Sequence, residues 1–390
     1  MKLTFVHDGT LKYNKNGEYF GTAVTPYSLS RYKYFTDDIT VVIRTYPFKE
    51  NESKQKYMKI PSEYIIKHVP NYMSLKGQLF EKRNVEKMLY DVIKESDIVI
   101  CRFSGETGKI AANICHKLNK PYIIECVGCA WDSYWNYNFK GKVIALYQFL
   151  DQRKLIKRAP YVIYVTDQFL ENRYPTTGKY IPASNVELLP MYDQILIKRI
   201  EKIKNEKNNK VLVLGTAAAI DVKYKGQAYV IKAMAKLKKE GLRFKYQLIG
   251  NGDNSYLLNI AKAYGVEEDI EFIGTIPHEK VFEWIDSLDI YIQPSNQEGL
   301  PRALIEAMSR GCPAIGSSTA GIPELLDCNV IFTRKKVNQL VDVLRKMLSS
   351  EMRLEQAKNN YETALRYQRD VIYERRNKFF DMVMKENKLR

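Results

Sequence analysis

Two successive blocks of this chain repeat one alternation: short runs rich in β-branched and aromatic residues, separated by stretches whose apolar residues recur at helical spacing. In the first block the strand-like runs are 3–7, 39–43, 98–101, 122–125 and 161–165, with helical spacing at 85–94 and 109–118. In the second they are 211–214, 245–249, 270–273, 290–293, 314–316 and 330–332, separated by helical patterns at 227–239, 255–264, 279–287, 303–310 and 337–348. Neighbouring parallel strands need a long crossover, usually a helix, so this alternation predicts mostly parallel, doubly wound sheets. The Lys-, Asn- and Glu-rich stretch 198–210 interrupts the pattern and is read as the domain boundary. Two Rossmann-like α/β domains are expected, 1–192 and 193–370, facing a shared cleft where strand carboxyl ends and helix starts converge. From residue 352 onward the pattern is helical only, with a kink expected at Gln368-Arg369-Asp370.

Composition narrows the function classes. With 45% hydrophobic and 27% charged residues in 390, each half can bury a core and disorder is not expected to dominate. No apolar run approaches the roughly 18 residues of a membrane span. The N-terminus reaches His7 and Asp8 too early for a secretory signal, so a cytoplasmic protein is expected. Six unevenly spaced cysteines suit reduced core thiols. Cys126 and Cys129 form a Cys-x2-Cys pair near Cys101, Cys115 and His116, but the second pair of a zinc site is missing, and no metal is expected. A net charge of +16 favours an anionic partner. It is spread as 28 basic against 19 acidic residues in 1–190 and 33 against 26 in the remainder, which argues against a nucleic-acid recognition motif.

The most informative segment runs from Ser295 to Met308, SNQEGLPRALIEAM. A strand ends near Pro294, a polar loop follows, and Pro301 suits a first helical residue because its missing N–H costs nothing there. Ala303, Leu304, Ala307 and Met308 form the buried stripe. The free amides around Gly299, Leu300 and Arg302, together with the helix macrodipole, make a seat for a diphosphate. Glu298 precedes that seat and Glu306 lies inside the helix. In isolation they read equally well as a loop charge and a helix-surface charge.

This segment resembles the retaining glycosyltransferases of family 4, which have the GT-B architecture. Their paired glutamates, eight positions apart, match Glu298 and Glu306, with flanking Glu-Gly-Leu-Pro and Glu-Ala-Met. The resemblance continues through Gly311-Cys312-Pro313 and Gly321-Ile322-Pro323-Glu324-Leu325, and upstream through 248–252 and 274–278. It covers nearly all of the second domain and, more weakly, the first. It implies a metal-independent enzyme that moves a sugar from a nucleotide diphosphate sugar to a hydroxyl acceptor with retention, needing no cofactor beyond that donor. The setting it implies is capsular, exopolysaccharide or other cell-surface glycan synthesis on a glycan or lipid-linked acceptor. A C-terminal helix, about 371–390, is expected to pack back on the first domain. In this reading Glu298 holds the sugar, Glu306 the ribose, and Lys225 neutralises the departing diphosphate. The family's arginine about five residues before that lysine is absent, and Lys223 or Thr216 with nearby amides is the expected substitute. Gly250 closes a strand-to-helix turn, and Ile276 resembles the residue that contacts the base, while His278 is read as a helix-start residue without a ligand. In the first domain His7-Asp8-Gly9-Thr10 and, further on, Gly17-Glu18-Tyr19-Phe20-Gly21 are read as a glycine-containing loop after the first strand, with Gly17 the expected backbone contact to the donor. Asp132 stands where relatives carry a histidine, beside Trp131, which suits either sugar stacking or core packing.

Basic residues at Lys140, Lys142 and 153–158 flank Val143, Leu146, Tyr147 and Leu150 at helical spacing. This helix, with lysines between Lys49 and Lys67, either rests peripherally on anionic headgroups at the inner membrane face or is a packed helix with solvated ends. A nucleotide-sugar epimerase of the same plan and a basic nucleic-acid-binding protein are the alternative functions.

Overall fold

The computed structural model describes residues 1–389 except 50–51, 53–56, 73–76, 78–79, 137–138 and 208–209, with Lys140 described in backbone alone. Lys54 and Lys56 of the proposed basic face therefore lie outside the described residues. The chain forms two compact units: Met1–Asn185 with Tyr373–Arg390, and Val186–Ile372.

The first unit is built on a nine-stranded sheet: β1 (Leu3–Tyr13), β2 (Tyr19–Gly21), β3 (Ile39–Pro47), β4 (Met58–Lys59), β5 (Ile65–His68), β6 (Ile98–Phe103), β7 (Tyr122–Cys126), β8 (Tyr161–Tyr164) and β9 (Lys179–Pro182). Its parallel core runs β5-β3-β1-β6-β7-β8-β9. β2 and β4 add an antiparallel flap. The second unit has six parallel strands: β10 (Leu212–Ala217), β11 (Phe244–Ile249), β12 (Ile270–Gly274), β13 (Ile290–Gln293), β14 (Ala314–Ser317) and β15 (Ile331–Phe332), ordered β12-β11-β10-β13-β14-β15. Both sheets wind outward from their first strand in one direction and then in the other. The turnover falls between β1 and β6 in one unit and between β10 and β13 in the other. In a doubly wound sheet such a switch point leaves a crevice at the strand carboxyl ends.

The central strands β7, β8, β13 and β14 are buried at every residue, which is why they read as continuous apolar runs. The charged stretch read as a boundary lies inside the second unit and overlaps a helix, Asp193–Lys204, that buries Arg199 and Ile203. Arg199 donates to the carbonyls of Ile285 (2.9 Å), Leu288 (2.6 Å) and Arg310 (3.2 Å), satisfying acceptors orphaned at the ends of two other helices.

The last helices, Ser350–Leu365 and Arg369–Glu386, are separated where the backbone pairs with Leu188: its amide donates to the Tyr367 carbonyl and its carbonyl accepts from Arg369, both at 2.9 Å. Beyond this break Phe379, Phe380, Val383 and Met384 join Leu3, Phe5, Phe35 and Ile39 in one core of the first unit. Arg376 is buried there, 3.2 Å from the Glu125 carboxylate, and also donates to the carbonyls of Ala183 and Ser184.

Candidate functional site

At the switch point of the second unit, the loop after β10 ends in a 3-10 turn, Lys223–Lys225, followed by Gly226 and the helix Gln227–Lys239. The loop after β13 leads to the helix Arg302–Ser309, capped by Pro301, one position earlier than expected. The two loops are stitched by the Asn296 amide, which donates to the Tyr224 carbonyl at 2.7 Å. Gly226 makes the approach feasible: it sits at φ +80°, and a Cβ there would stand 2.0 Å from the Pro294 carbonyl oxygen. Gly226→Ala should therefore cost about 2–4 kcal/mol of stability, read from urea unfolding. A loss below half a kilocalorie would show that the loops relax freely.

This approach places Lys225 against Glu298. The Lys225 ammonium donates to Glu298 Oε1 at 2.8 Å, and Gln293 Nε2 donates to the same oxygen at 3.0 Å. Gln293 is oriented in turn by the Tyr291 hydroxyl, which donates to its Oε1 at 3.1 Å, and by Ser295 Oγ, which accepts from its Nε2 at 2.9 Å. Glu298 Oε2 has no protein donor among the described residues, so one carboxylate oxygen is fixed and the other is free to accept a hydroxyl. Next to this pair, the amides of Gly299, Leu300 and Arg302 donate to no protein acceptor among the described residues. The Gly299 carbonyl is held by the Gly321 amide at 3.0 Å, and Leu300 packs against the core. A helix start with unpaired amides and an adjacent ammonium attracts an anion.

Glu306 projects from the same helix and is nearly buried, with its Oε1 3.1 Å from His278 Nε2. His278 opens the helix His278–Ser287, as the sequence suggested, but it has a carboxylate partner that the sequence did not reveal. Donation to the Glu306 carboxylate raises the His278 pKa above its ordinary 6.5, against partial burial. A raised histidine contributes stability that is complete below 6.5 and is lost as pH rises through the higher folded value. The contribution is small, because the side chain is 60% exposed. In Glu306→Gln the His278 titration followed by NMR should fall back toward 6.5. An unchanged midpoint would mean that another group sets it.

Other expected residues stand elsewhere. Thr216 is a correction: it is buried inside the sheet, its hydroxyl donating to the Ile292 carbonyl and accepting from the Tyr246 hydroxyl, each at 2.7 Å. The nearby amides of Ala217, Ala218 and Ile220 are likewise bonded, to Tyr291 Oη and the carbonyls of Ile249 and Asn251. None of these is available to a phosphate. Lys223 is exposed, its ammonium 4.8 Å from the centre of the Tyr256 ring. Gly250 has φ +149°, and a Cβ there would stand 1.9 Å from the Ala218 carbonyl oxygen, so close backbone approach alone requires glycine. Ile276 is half-buried against the core of the unit.

In the first unit, Gly17 is at the tip of the β1–β2 hairpin rather than in a loop after the first parallel strand. Its φ of +75° and its amide bond to the Asn14 carbonyl (3.1 Å) explain the glycine by the turn. The switch point of that unit is occupied by His7 and Asp8, in the stretch read for backbone contacts, and what the sequence did not reveal is the side-chain partner of Asp8. Both Asp8 carboxylate oxygens accept from the Thr107 amide, at 3.1 and 3.0 Å, and Oδ1 also accepts from the Thr107 hydroxyl, at the start of the helix Glu106–Leu118. Burial raises the Asp8 pKa, and burial with nearby Arg102 lowers that of His7 to about 3, keeping the imidazole neutral. Asp132 is half-buried in the short helix Ala130–Trp135, whose N-cap is Cys129. Trp131 stacks on Trp135 with ring centroids 5.0 Å apart and meets Phe149 edge-on. Cys129 Sγ lies 3.2 Å from the Tyr174 hydroxyl, and Cys126 Sγ accepts from Gln152 Nε2 at 3.5 Å. Among the described residues no three His, Cys, Asp or Glu side chains cluster as metal ligands, and no helix is long and apolar enough to cross a membrane.

Comparison with known proteins bears on the family and the fold. The family model described as glycosyl transferases group 1 matches residues 196–364, the stretch that holds the switch point of the second unit. Protein CapJ of Staphylococcus aureus is 32% identical over 384 residues, covering 97% of this chain and 94% of that protein. The amylovoran biosynthesis glycosyltransferase AmsK of Erwinia amylovora is 40% identical over 113 residues, 27% of this chain and 28% of its own length. The crystal structure of Anabaena HepE in complex with UDP superposes with a TM-score of 0.66 at 15% identity, covering 98% of this chain and 100% of that one. At that identity the likeness speaks for the fold, which is GT-B. A relative matched along nearly its whole length, and a family model that spans the switch point of the second unit, place the chain among the group 1 glycosyl transferases, to which it belongs as a glycosyltransferase of GT-B fold.

Proposed function

We propose that this glycosyltransferase moves a sugar from a nucleotide diphosphate sugar to a hydroxyl of a glycan or lipid-linked acceptor, with retention at the anomeric carbon, in the cytoplasmic assembly of a capsular, exopolysaccharide or other cell-surface glycan. One observation carries the reading: the Lys225–Glu298 pair stands beside the unpaired amides of Gly299 and Leu300 at a helix start. The diphosphate docks on those amides, and the Lys225 ammonium shifts part of its interaction from Glu298 to the phosphate as the glycosidic bond breaks. The free Glu298 oxygen accepts a sugar hydroxyl, and the second Glu306 oxygen accepts from the ribose. Neither carboxylate is assigned as a nucleophile. In a front-face substitution the departing phosphate takes the acceptor proton, so the protein needs only to position the reactants and stabilise charge. The UDP bound by HepE and the amylovoran role in the name of AmsK support the donor class and the polysaccharide setting.

Nucleotide sugars that raise the thermal midpoint identify the donor. Transfer followed by NMR should give a product with the donor's anomeric configuration. Turnover should persist in EDTA, because the charge on the leaving group is met by Lys225. An inverted product, or abolition by EDTA with recovery on adding a divalent ion, would overturn those two parts separately. Conversion of the donor without any acceptor would favour the epimerase instead.

A further inference from the structure

The helix Phe139–Lys157 carries apolar residues on its outward face as well as on the face packed against the unit. Phe139, Val143, Leu146, Tyr147 and Leu150, at spacing i, i+4, i+7, i+8 and i+11, share one face and are 79%, 72%, 55%, 68% and 54% exposed. The opposite face is inward and contains Ala145, Gln148, Gln152, Leu155 and Ile156, all buried. The inward glutamines are bonded: Gln152 Nε2 donates to the Gly128 carbonyl at 3.0 Å, and Gln148 Oε1 accepts from the Lys109 ammonium. A surface helix normally shows a polar outward side, so this second, exposed apolar row is left for a partner outside the chain.

We infer that this face is a docking surface for an anionic phospholipid bilayer, in which the helix lies along the headgroup boundary. The charges choose the occupant. Lys142, Arg153, Lys154 and Lys157 are exposed around and beyond the apolar row. The helix's one acid, Asp151, is half-buried and paired with Lys109 at 3.1 Å. A second copy meeting this face symmetrically would set those basic residues against their own counterparts, whereas anionic headgroups neutralise them. Trp135, 42% exposed and approached by the Lys142 ammonium at 5.7 Å from its ring centre, sits just before the helix as an amphipathic group suited to that boundary. Docking is independent of the chemistry. Its use, bringing a lipid-linked acceptor to the enzyme, rests on the function proposed above.

The test is flotation of the full chain with vesicles of phosphatidylcholine alone or mixed with phosphatidylglycerol. Binding is expected with the mixed vesicles, weakening as salt rises. Val143→Ser/Leu146→Ser/Tyr147→Ser and, separately, Lys154→Glu/Lys157→Glu should each cut the bound fraction roughly tenfold or more. Turnover on a water-soluble acceptor should stay unchanged in both, which separates a failure of docking from a failure of the glycosyl-transfer reading. In an otherwise native chain, Tyr147→Trp should shift its emission to the blue on adding mixed vesicles. Flotation indifferent to phosphatidylglycerol and salt, no shift from the new tryptophan, or a lipid-free dimer abolished by the apolar triple variant would each overturn the inference, the last in favour of a contact between copies.

Discussion

Lys225→Ala is expected to lower kcat by about 10²–10³-fold while leaving the donor KM within a few-fold, the signature of an interaction made mainly in the transition state. In the resting enzyme the ammonium is held by Glu298 at 2.8 Å, so it is positioned at the helix start before charge develops on the leaving phosphate. The substitution also strips a cation from a carboxylate that is 11% exposed, costing about 1–3 kcal/mol of stability, which urea unfolding measures separately. Gln293 still donates to Glu298 at 3.0 Å, so the loop keeps one anchor and the folded variant can be assayed. Lys225→Arg should recover part of the rate, since the charge returns in a different geometry. A double-mutant cycle with Glu298→Gln then separates two roles: if Lys225 works only by fixing Glu298, the two losses will not add. Wild-type turnover in Lys225→Ala would remove the leaving-group role altogether.

What was legible in the sequence followed from burial. β7, β8, β13 and β14 are shielded on both faces, so their apolar runs announced themselves, and the helix after Pro301 was marked by its own proline and stripe. β4, β5 and β9 were missed because their residues are half-buried or exposed, leaving sequences as polar as loops. The helix Asp193–Lys204 was hidden for a related reason: its inward Arg199 binds carbonyls, which a hydrophobic pattern cannot register. At the candidate site, Glu298, Glu306 and Lys225 could be named from local motifs, but the contacts they make could not. His278 reaches Glu306 across 28 positions, and Asp8 reaches Thr107 across 99, pairings that exist only once the strands have ordered. Thr216 misled in the opposite way. A polar residue beside a phosphate seat looks like a ligand, yet strand alternation turned its hydroxyl into the sheet.

Glu306→Ala is expected to raise the donor KM by roughly 10- to 150-fold with kcat nearly preserved, because a hydrogen bond to a charged group contributes about 1.5–3 kcal/mol. The carboxylate is suited to that role by its surroundings: it is only 7% exposed, and His278 fixes one oxygen at 3.1 Å, leaving the other aimed without the entropy cost of a mobile side chain. A purely structural Glu306 would also weaken binding if its loss disturbed the helix, so the donor must be varied along with the protein. A donor lacking ribose hydroxyls should bind the native enzyme more weakly by a factor close to that of the substitution, since a buried acceptor is then left unpaired. The Glu306→Ala enzyme should hardly distinguish the two donors. If it penalises the deoxy donor as strongly as the native enzyme does, the ribose is read by other groups, and Glu306 serves the helix and His278 alone.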